Sequence, residues 1–122
     1  MSWTIWVCAG AIFAAFGVGA GAFGAHALKA RLTPEYLAVF EVGVKYQMYH
    51  ALALIALGLV ATRIESTAIK VSGFAFIGGT LLFSGSLYAL VLSGEKSLGM
   101  VTPVGGVALI VGWLALAIAM IH

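Results

Sequence analysis

Apolar positions dominate four stretches of the chain, and short polar segments separate them. The stretches cover about residues 3–25, 42–62, 71–92 and 103–121. Each has roughly 20 residues, and a helix of that length rises about 30 Å, the thickness of a membrane's hydrocarbon core. The period-two alternation of a membrane β-barrel is missing. The pattern predicts an all-α integral membrane protein, a four-helix bundle that forms one domain over residues 1–122.

The first stretch has one feature of a secretory signal peptide. Residues 25–27 read Ala-His-Ala, as a cleavage site does, but a basic n-region is missing and the apolar part is too long. We therefore expect a retained membrane span.

Two proline-containing segments predict helix starts. In Thr33-Pro34-Glu35 the threonine can cap, the proline suits the first helical position and the glutamate favours the positive end of the dipole. A continuous helix from there to Ala61 would be roughly 42 Å long, so residues 34–41 are predicted to form an interfacial extension. Thr102-Pro103 repeats the start signal, and His122 is expected at the far water boundary.

Small residues form candidate packing surfaces in the first and fourth stretches. Small residues let membrane helices approach closely and gain van der Waals contact. Gly17 and Gly21 form a GxxxG pair, and Gly24 extends the small surface, while Gly105 and Gly106 supply another. We expect packing within the chain, with a dimer face as the alternative.

The composition supports a membrane protein and argues against other classes. Hydrophobic residues make up 63% of the chain and charged residues 8%, with a mean hydropathy of +1.15. Soluble domains carry about 25% charged residues, so this chain could not cover a water-soluble surface. A net charge of +2 is too small to indicate nucleic acid as a partner. The single cysteine, Cys8, excludes an intrachain disulfide.

The basic side chains predict the orientation. Four of them fall on one side of the membrane and two on the other, namely Lys29, Arg31, Lys45 and Lys96 against Arg63 and Lys70. Because cytoplasmic loops carry the excess of lysine and arginine, the Lys29–Lys45 connection is predicted to be cytoplasmic.

Three polar residues near the start of the second span are candidates for function. Glu41 and Lys45 are four residues apart in the order that favours an ion pair, and Lys45 can also reach the interface. His50 is expected roughly 10–12 Å inside the membrane, where an unbonded imidazole would be costly. We expect Tyr46 or the third span as its partner, and the glycine-rich first span opposite it. A structural histidine is favoured over a proton, metal or small-ligand role.

A stripe of hydroxyl groups runs along the third span. Its members follow at i+4 spacing and are Ser72, Phe76, Thr80, Ser84 and Tyr88. Hydroxyls in membrane helices usually bond to their own or a neighbouring helix, and a solute pathway is the alternative.

A two-histidine metal or haem site would have to join His26 to His50. The predicted depths oppose it, because His26 leaves the first span at the interface. Neither a CxxC, a GxSxG nor a phosphate-binding GxxxxGK[ST] motif occurs. The sequence therefore predicts no metal, no cofactor and no catalytic residue, and the chain is expected not to be an enzyme.

Three motifs carry a family resemblance. They are GAFGAHAL at residues 21–28, YQMYHAL at 46–52, and TPVGG at 102–106 followed by Gly112-Trp113. The whole chain resembles the YgdD/YwdK-type family of small membrane proteins, a family of unknown function. The resemblance implies a four-span fold and a bacterial plasma-membrane location, and it supplies no activity or catalytic residue.

Three functions are compatible with these features. The favoured one is a non-enzymatic membrane bundle, a homo-oligomer or an accessory subunit of a larger membrane complex. The second is a transporter or channel for a small solute or proton that uses His50 and Glu41. The third is a membrane protein that ligates a cofactor or metal through its histidines.

Overall fold

The computed structural model describes residues 2–121, so His122 lies outside the described residues. Four α-helices follow in chain order: α1 Thr4–His26, α2 Pro34–Ala61, α3 Thr67–Ser93 and α4 Thr102–Met120. Short 3₁₀ turns at Leu28–Ala30 and Lys96–Met100 lie in the two connections on one side. All four helices are long and apolar enough to cross a membrane, which confirms the predicted all-α membrane fold.

Hydroxyl caps define the starts of the two central helices. The Thr33 hydroxyl accepts a hydrogen bond from the Tyr36 N–H at 3.2 Å, and Pro34 takes the first position of α2. The Ser66 hydroxyl accepts from the Ile69 N–H at 3.3 Å, so α3 begins ahead of the apolar stretch at residue 71. Such caps satisfy N–H groups that have no partner inside the helix.

The predicted cap at Thr102 is wrong. The residue before α4 is Val101, which already has helical dihedrals, and Thr102 lies inside the helix. Its hydroxyl is 2.6 Å from the Ser86 hydroxyl, so it joins α4 to α3. The preceding 3₁₀ turn leads directly into α4, which removes the extended residue that a threonine cap requires.

Helix packing follows the order of the chain. α1 packs on α2, α2 on α3 and α3 on α4. In the most apolar part of each helix, 39% of residues are buried in α2 and α3, against 17% in α1 and 28% in α4. The bundle therefore has α2 and α3 at its centre, flanked by α1 and α4, whose outer faces are left to lipid.

Three glycines set the approach of α1 to α2. Gly10, Gly17 and Gly24 are buried and recur every seven residues. A Cβ added at Gly10 would lie 2.5 Å from the Ala51 carbonyl oxygen, and one at Gly24 would lie 2.9 Å from the Phe40 ring. Both are far inside van der Waals contact, so the helices can meet this closely only at glycine.

Only one glycine of the predicted Gly17–Gly21 pair makes a close contact with α2. Gly17 packs against Met48, whereas a Cβ at Gly21 would keep 3.4 Å from Val44, an ordinary contact. Seven residues make about two helical turns, so Gly10, Gly17 and Gly24 lie on the same face of α1. The close contact with α2 follows this seven-residue spacing and not the four-residue spacing of Gly17 and Gly21.

Glycines also allow close contact between α3 and α4. A Cβ at Gly105 would fall on the backbone nitrogen of Phe83, and one at Gly79 would lie 2.8 Å from Leu109. The adjacent Gly106 is looser, since a Cβ there would lie 3.8 Å from the nearest Phe83 ring atom. Of the two glycines predicted to pack in α4, Gly105 therefore carries the contact.

Trp6 closes one end of the bundle. Its side chain is 1% exposed, and its ring occupies the space that a side chain at Gly73 would need. It also meets Phe74 edge-on, with ring centroids 5.2 Å apart. This tryptophan thereby connects α1 directly to α3.

Gly105→Ala should destabilise the bundle by about 1–3 kcal/mol, because the added methyl group overpacks against rigid backbone. Gly106→Ala is the matched control, because it gains the same helix propensity of about 1 kcal/mol but has room for a methyl group. Unfolding titrations in mixed detergent micelles should show Gly106→Ala at or above wild-type stability. Equal stability of the two variants would contradict the assigned α3–α4 contact.

Candidate functional site

His50 lies at the centre of the buried polar groups of α2. Its Nδ1 is 2.7 Å from the Tyr46 carbonyl oxygen, and its Nε2 is 3.0 Å from the Trp113 indole nitrogen. Because an indole N–H can only donate, Nε2 must accept and Nδ1 must carry the proton. The geometry therefore selects one neutral tautomer in which both ring nitrogens are bonded.

Aromatic rings surround this imidazole. The ring centroids of Phe76 and Trp113 lie 5.5 and 5.7 Å away, and Tyr46 stacks at 6.2 Å. The expectation that His50 faces the glycine-rich first span is wrong. α1 packs on a different face of α2, at Met48 and Ala51, and the histidine ring contacts Phe76 of α3 and Trp113 of α4 instead.

Gln47 ties three helices together. Its amide nitrogen donates to the Phe13 carbonyl at 2.8 Å, and its amide oxygen accepts from the Tyr88 hydroxyl at 2.6 Å. Sequence reasoning missed this residue, although a second uncharged polar side chain three residues before His50 within one span was a usable signal. Trp113 was missed as well, because its partner lies 63 residues away.

Two serines of α3 donate to carbonyls of glycine. Ser84 donates to the Gly43 carbonyl at 2.6 Å and Ser72 to the Gly112 carbonyl at 2.8 Å. At both positions the missing side chain on the acceptor residue lets the serine reach the main chain of the neighbouring helix. These serines act as links between helices.

Thr80 is the exception in the hydroxyl stripe. It is 3% exposed, and its hydroxyl has no hydrogen-bond partner among the described residues. It lines a cleft of about 200 Å³ between α1 and α3, together with Gln47, Ser84 and Tyr88. The three hydroxyl residues predicted as candidates thus share one small cleft, in which two of them are already bonded.

The other predicted polar residues line separate cavities. His50 borders a groove of about 770 Å³ between α2 and α4, whose walls include Tyr46, Phe83 and Trp113. Glu41 and Lys45 border a cavity of about 430 Å³ beside the end of α1. The candidate residues are therefore divided among three places in the fold.

His26 and His50 are not brought together. His26 is the exposed last residue of α1, near the level where Gly24 meets Phe40, whereas His50 lies between the levels where Gly17 meets Met48 and Gly10 meets Ala51. Within residues 2–121, no cluster of three or more histidine, cysteine, aspartate or glutamate side chains could hold a metal ion.

The predicted ion pair between Glu41 and Lys45 is not formed among the described residues. Both side chains are exposed. An exposed pair at this spacing gains only about 0.3–0.5 kcal/mol, which does not outweigh the freedom of two long side chains.

These hydrogen bonds limit the chemistry that the buried side chains of Gln47 and His50 can perform. A base or metal ligand needs a free lone pair, and the only lone pair of the neutral imidazole accepts from Trp113. In this arrangement the imidazole of His50 offers no free lone pair, and the hydrogen bonds of Gln47 and His50 join α2 to the other three helices.

Comparison with known proteins gives a family and no solved structure. Residues 20–106 match the profile of the family described as "Protein of unknown function (DUF423)". A UPF0382 membrane protein of Staphylococcus aureus (strain bovine RF122 / ET3-1) is 45% identical over 94% of this chain and 93% of its own. The UPF0382 membrane protein YwdK of Bacillus subtilis (strain 168) is 40% identical over 94% of both chains. No solved structure matches. These matches confirm the resemblance that the motifs indicated.

Trp113→Phe should lower the free energy of unfolding by about 1 kcal/mol, the range of interhelical hydrogen bonds in membranes. The ring is kept, but Nε2 of His50 loses its donor. In a His50→Phe background the same change should cost clearly less, so a double-mutant cycle should show coupling. Trp3→Phe, at the exposed residue that precedes α1, is the control and should leave stability unchanged. Additive effects of the two changes would contradict the hydrogen bond.

Proposed function

Since the chain belongs to this DUF423 family of membrane proteins, we propose that it is a non-enzymatic helix bundle that assembles with a second copy of itself. The outer face of α3 carries this proposal. Small and apolar residues recur there at alternating spacings of three and four, namely Ala75, Gly78, Leu82, Gly85 and Ala89. This is the spacing that holds one face of a helix toward a partner helix.

Two glycines on this face make no close contact inside the chain, although Gly85 also borders the small cleft that Thr80 lines. A Cβ added at Gly78 or Gly85 would meet nothing within 4 Å among the described residues. A glycine in a helix interior costs about 1 kcal/mol relative to alanine. At Gly10 and Gly105 that cost is offset by close helix contact, and a second helix against α3 would offset it here in the same way.

The occupant is a second copy because the face is suited to pairing with itself. Small residues lie at both ends of the strip and Leu82 lies at its centre. Two copies related by a twofold axis would place leucine beside leucine and small residues beside small residues, as a closed dimer interface requires. An accessory role in a larger membrane complex would use the same face with a different helix.

The buried polar groups support the non-enzymatic part of the proposal. Gln47, His50 and Ser84 all bond to groups on neighbouring residues or helices. A path for protons or solutes through His50 and Glu41 receives less support, because these residues border different cavities. We place the protein in the bacterial plasma membrane, with the Lys29–Lys45 connection on the cytoplasmic side.

Cysteine cross-linking tests the dimer face directly. In a Cys8→Ser background, Gly85→Cys should form disulfide-linked dimers on mild oxidation in native membranes, because two copies of α3 would approach within disulfide reach. Gly19→Cys is the matched control: Gly19 also has nothing within 4 Å among the described residues, but it lies on α1.

A larger side chain at residue 85 provides the complementary test. Gly85→Ile should raise the dimer dissociation constant about tenfold, as a loss of ~1.4 kcal/mol does, and Gly19→Ile should not. Native mass spectrometry from nanodiscs measures both. A wild-type protein that stays monomeric, or equal cross-linking at residues 19 and 85, would overturn the proposal.

A further inference from the structure

A cavity of about 430 Å³ lies where α1 ends beside the first turns of α2. Three charged side chains border it, Lys29, Glu41 and Lys45, and no other cavity described above has a charged residue in its wall. Leu37, Phe40 and Val44 make the remaining α2 wall apolar. A mixed wall of this kind suits a ligand that is itself part charged and part apolar.

Glycine creates the room for this cavity. Gly21 and Gly24 form its α1 wall, and Gly24 meets the edge of the Phe40 ring. A Cβ at Gly21 would be 3.4 Å from Val44, an ordinary contact, so this position is less tightly packed than Gly24. The space beside Gly21 therefore exceeds what the α1–α2 contact requires.

The cavity lies at the depth of lipid headgroups. If the last 20 residues of α2 cross a core of about 30 Å, that core begins near Val42. Glu41 is then at its edge, and Lys45 is about one turn inside, from where its ammonium can reach the interface. The ligand that meets such a cavity first is a phospholipid of the same leaflet.

The three charges select a headgroup. Lysine ammonium groups bind phosphate as point charges, and one phosphodiester can be approached by Lys29 from the 3₁₀ turn after α1 and by Lys45 from α2. Glu41 would repel that phosphate unless a cation lies between them, and a carboxylate at the edge of the core is costly without a partner. A headgroup that carries both a phosphodiester and a primary amine satisfies all three side chains.

We infer that this cavity binds an aminophospholipid, with its phosphodiester on Lys29 and Lys45, its ammonium on Glu41 and its first acyl methylene groups against Val44. This inference does not depend on self-assembly, because the outer face of α3 is not part of the cavity.

Lipid titration followed by native mass spectrometry tests the site. The probes are phosphatidylethanolamine, phosphatidylglycerol and phosphatidylcholine with identical acyl chains, added to the full-length protein in detergent. The ethanolamine lipid should bind about two- to fivefold more tightly than the other two, the range that exposed ion pairs provide. Choline has no N–H to donate, and glycerol has no positive charge.

Variants separate the contributions of the three charges. Glu41→Gln should abolish the preference for ethanolamine over choline while phosphate binding persists. Lys29→Ala combined with Lys45→Ala should weaken binding of all three lipids. Lys96→Ala is the matched control, an exposed lysine in the other connection on the same side of the membrane. Gly21→Leu should fill the cavity and reduce binding, whereas Gly19→Leu should not.

Several results would overturn the inference. One is equal binding of the three lipids to the wild type, and another is an unchanged preference in Glu41→Gln that is verified as folded by its size-exclusion profile. Free phosphoethanolamine should not displace the lipid at equal concentration, because it lacks the apolar part that the α2 wall contacts. Displacement by it would show a soluble ligand instead of a lipid.

Discussion

Close approach of helix backbones at glycine is the constraint on which this bundle depends. Lipid is as apolar as the helix surfaces, so burial of apolar area does not drive the helices together, and close contact and interhelical hydrogen bonds must do so. Gly10 and Gly105 allow that contact on the two sides of the central helices. Where glycine exposes a carbonyl, as at Gly43, a serine of the neighbouring helix donates to it.

The polar residues of the membrane interior follow from the same requirement. Among the described residues, every buried polar side chain except Thr80 has a partner inside the protein, since lipid offers none. Gln47 does so by joining α1 and α3 through α2, and His50 does so by accepting from Trp113 of α4. The chain thus uses the polar groups that looked most reactive to align its helices. The two proposed binding sites are elsewhere: the outer glycines of α3 for a second copy of the chain, and the charged cavity at the interface for a lipid.

Much of the fold was predictable because the signals are local. Hydropathy indicated four spans, and the Thr33-Pro34 cap marked the start of α2. Thr102 failed as a cap because a 3₁₀ turn precedes it, which hydropathy does not show. The candidate site was less predictable: the relevant residues were named in part, but Trp113 and Gln47 were missed, and His50 was expected to face α1.

By itself, the sequence determined the number of membrane helices, their approximate ends and the residues whose polarity requires a partner inside the membrane. Only the tertiary structure decided which partner each one has, and that Glu41 borders a different cavity from His50. The physical reason is that apolar residues surround each of these helices. Amphipathic periodicity, which shows the inward face of a helix in water, is therefore weak here, and the rotation of each helix is set by where glycines let backbones meet.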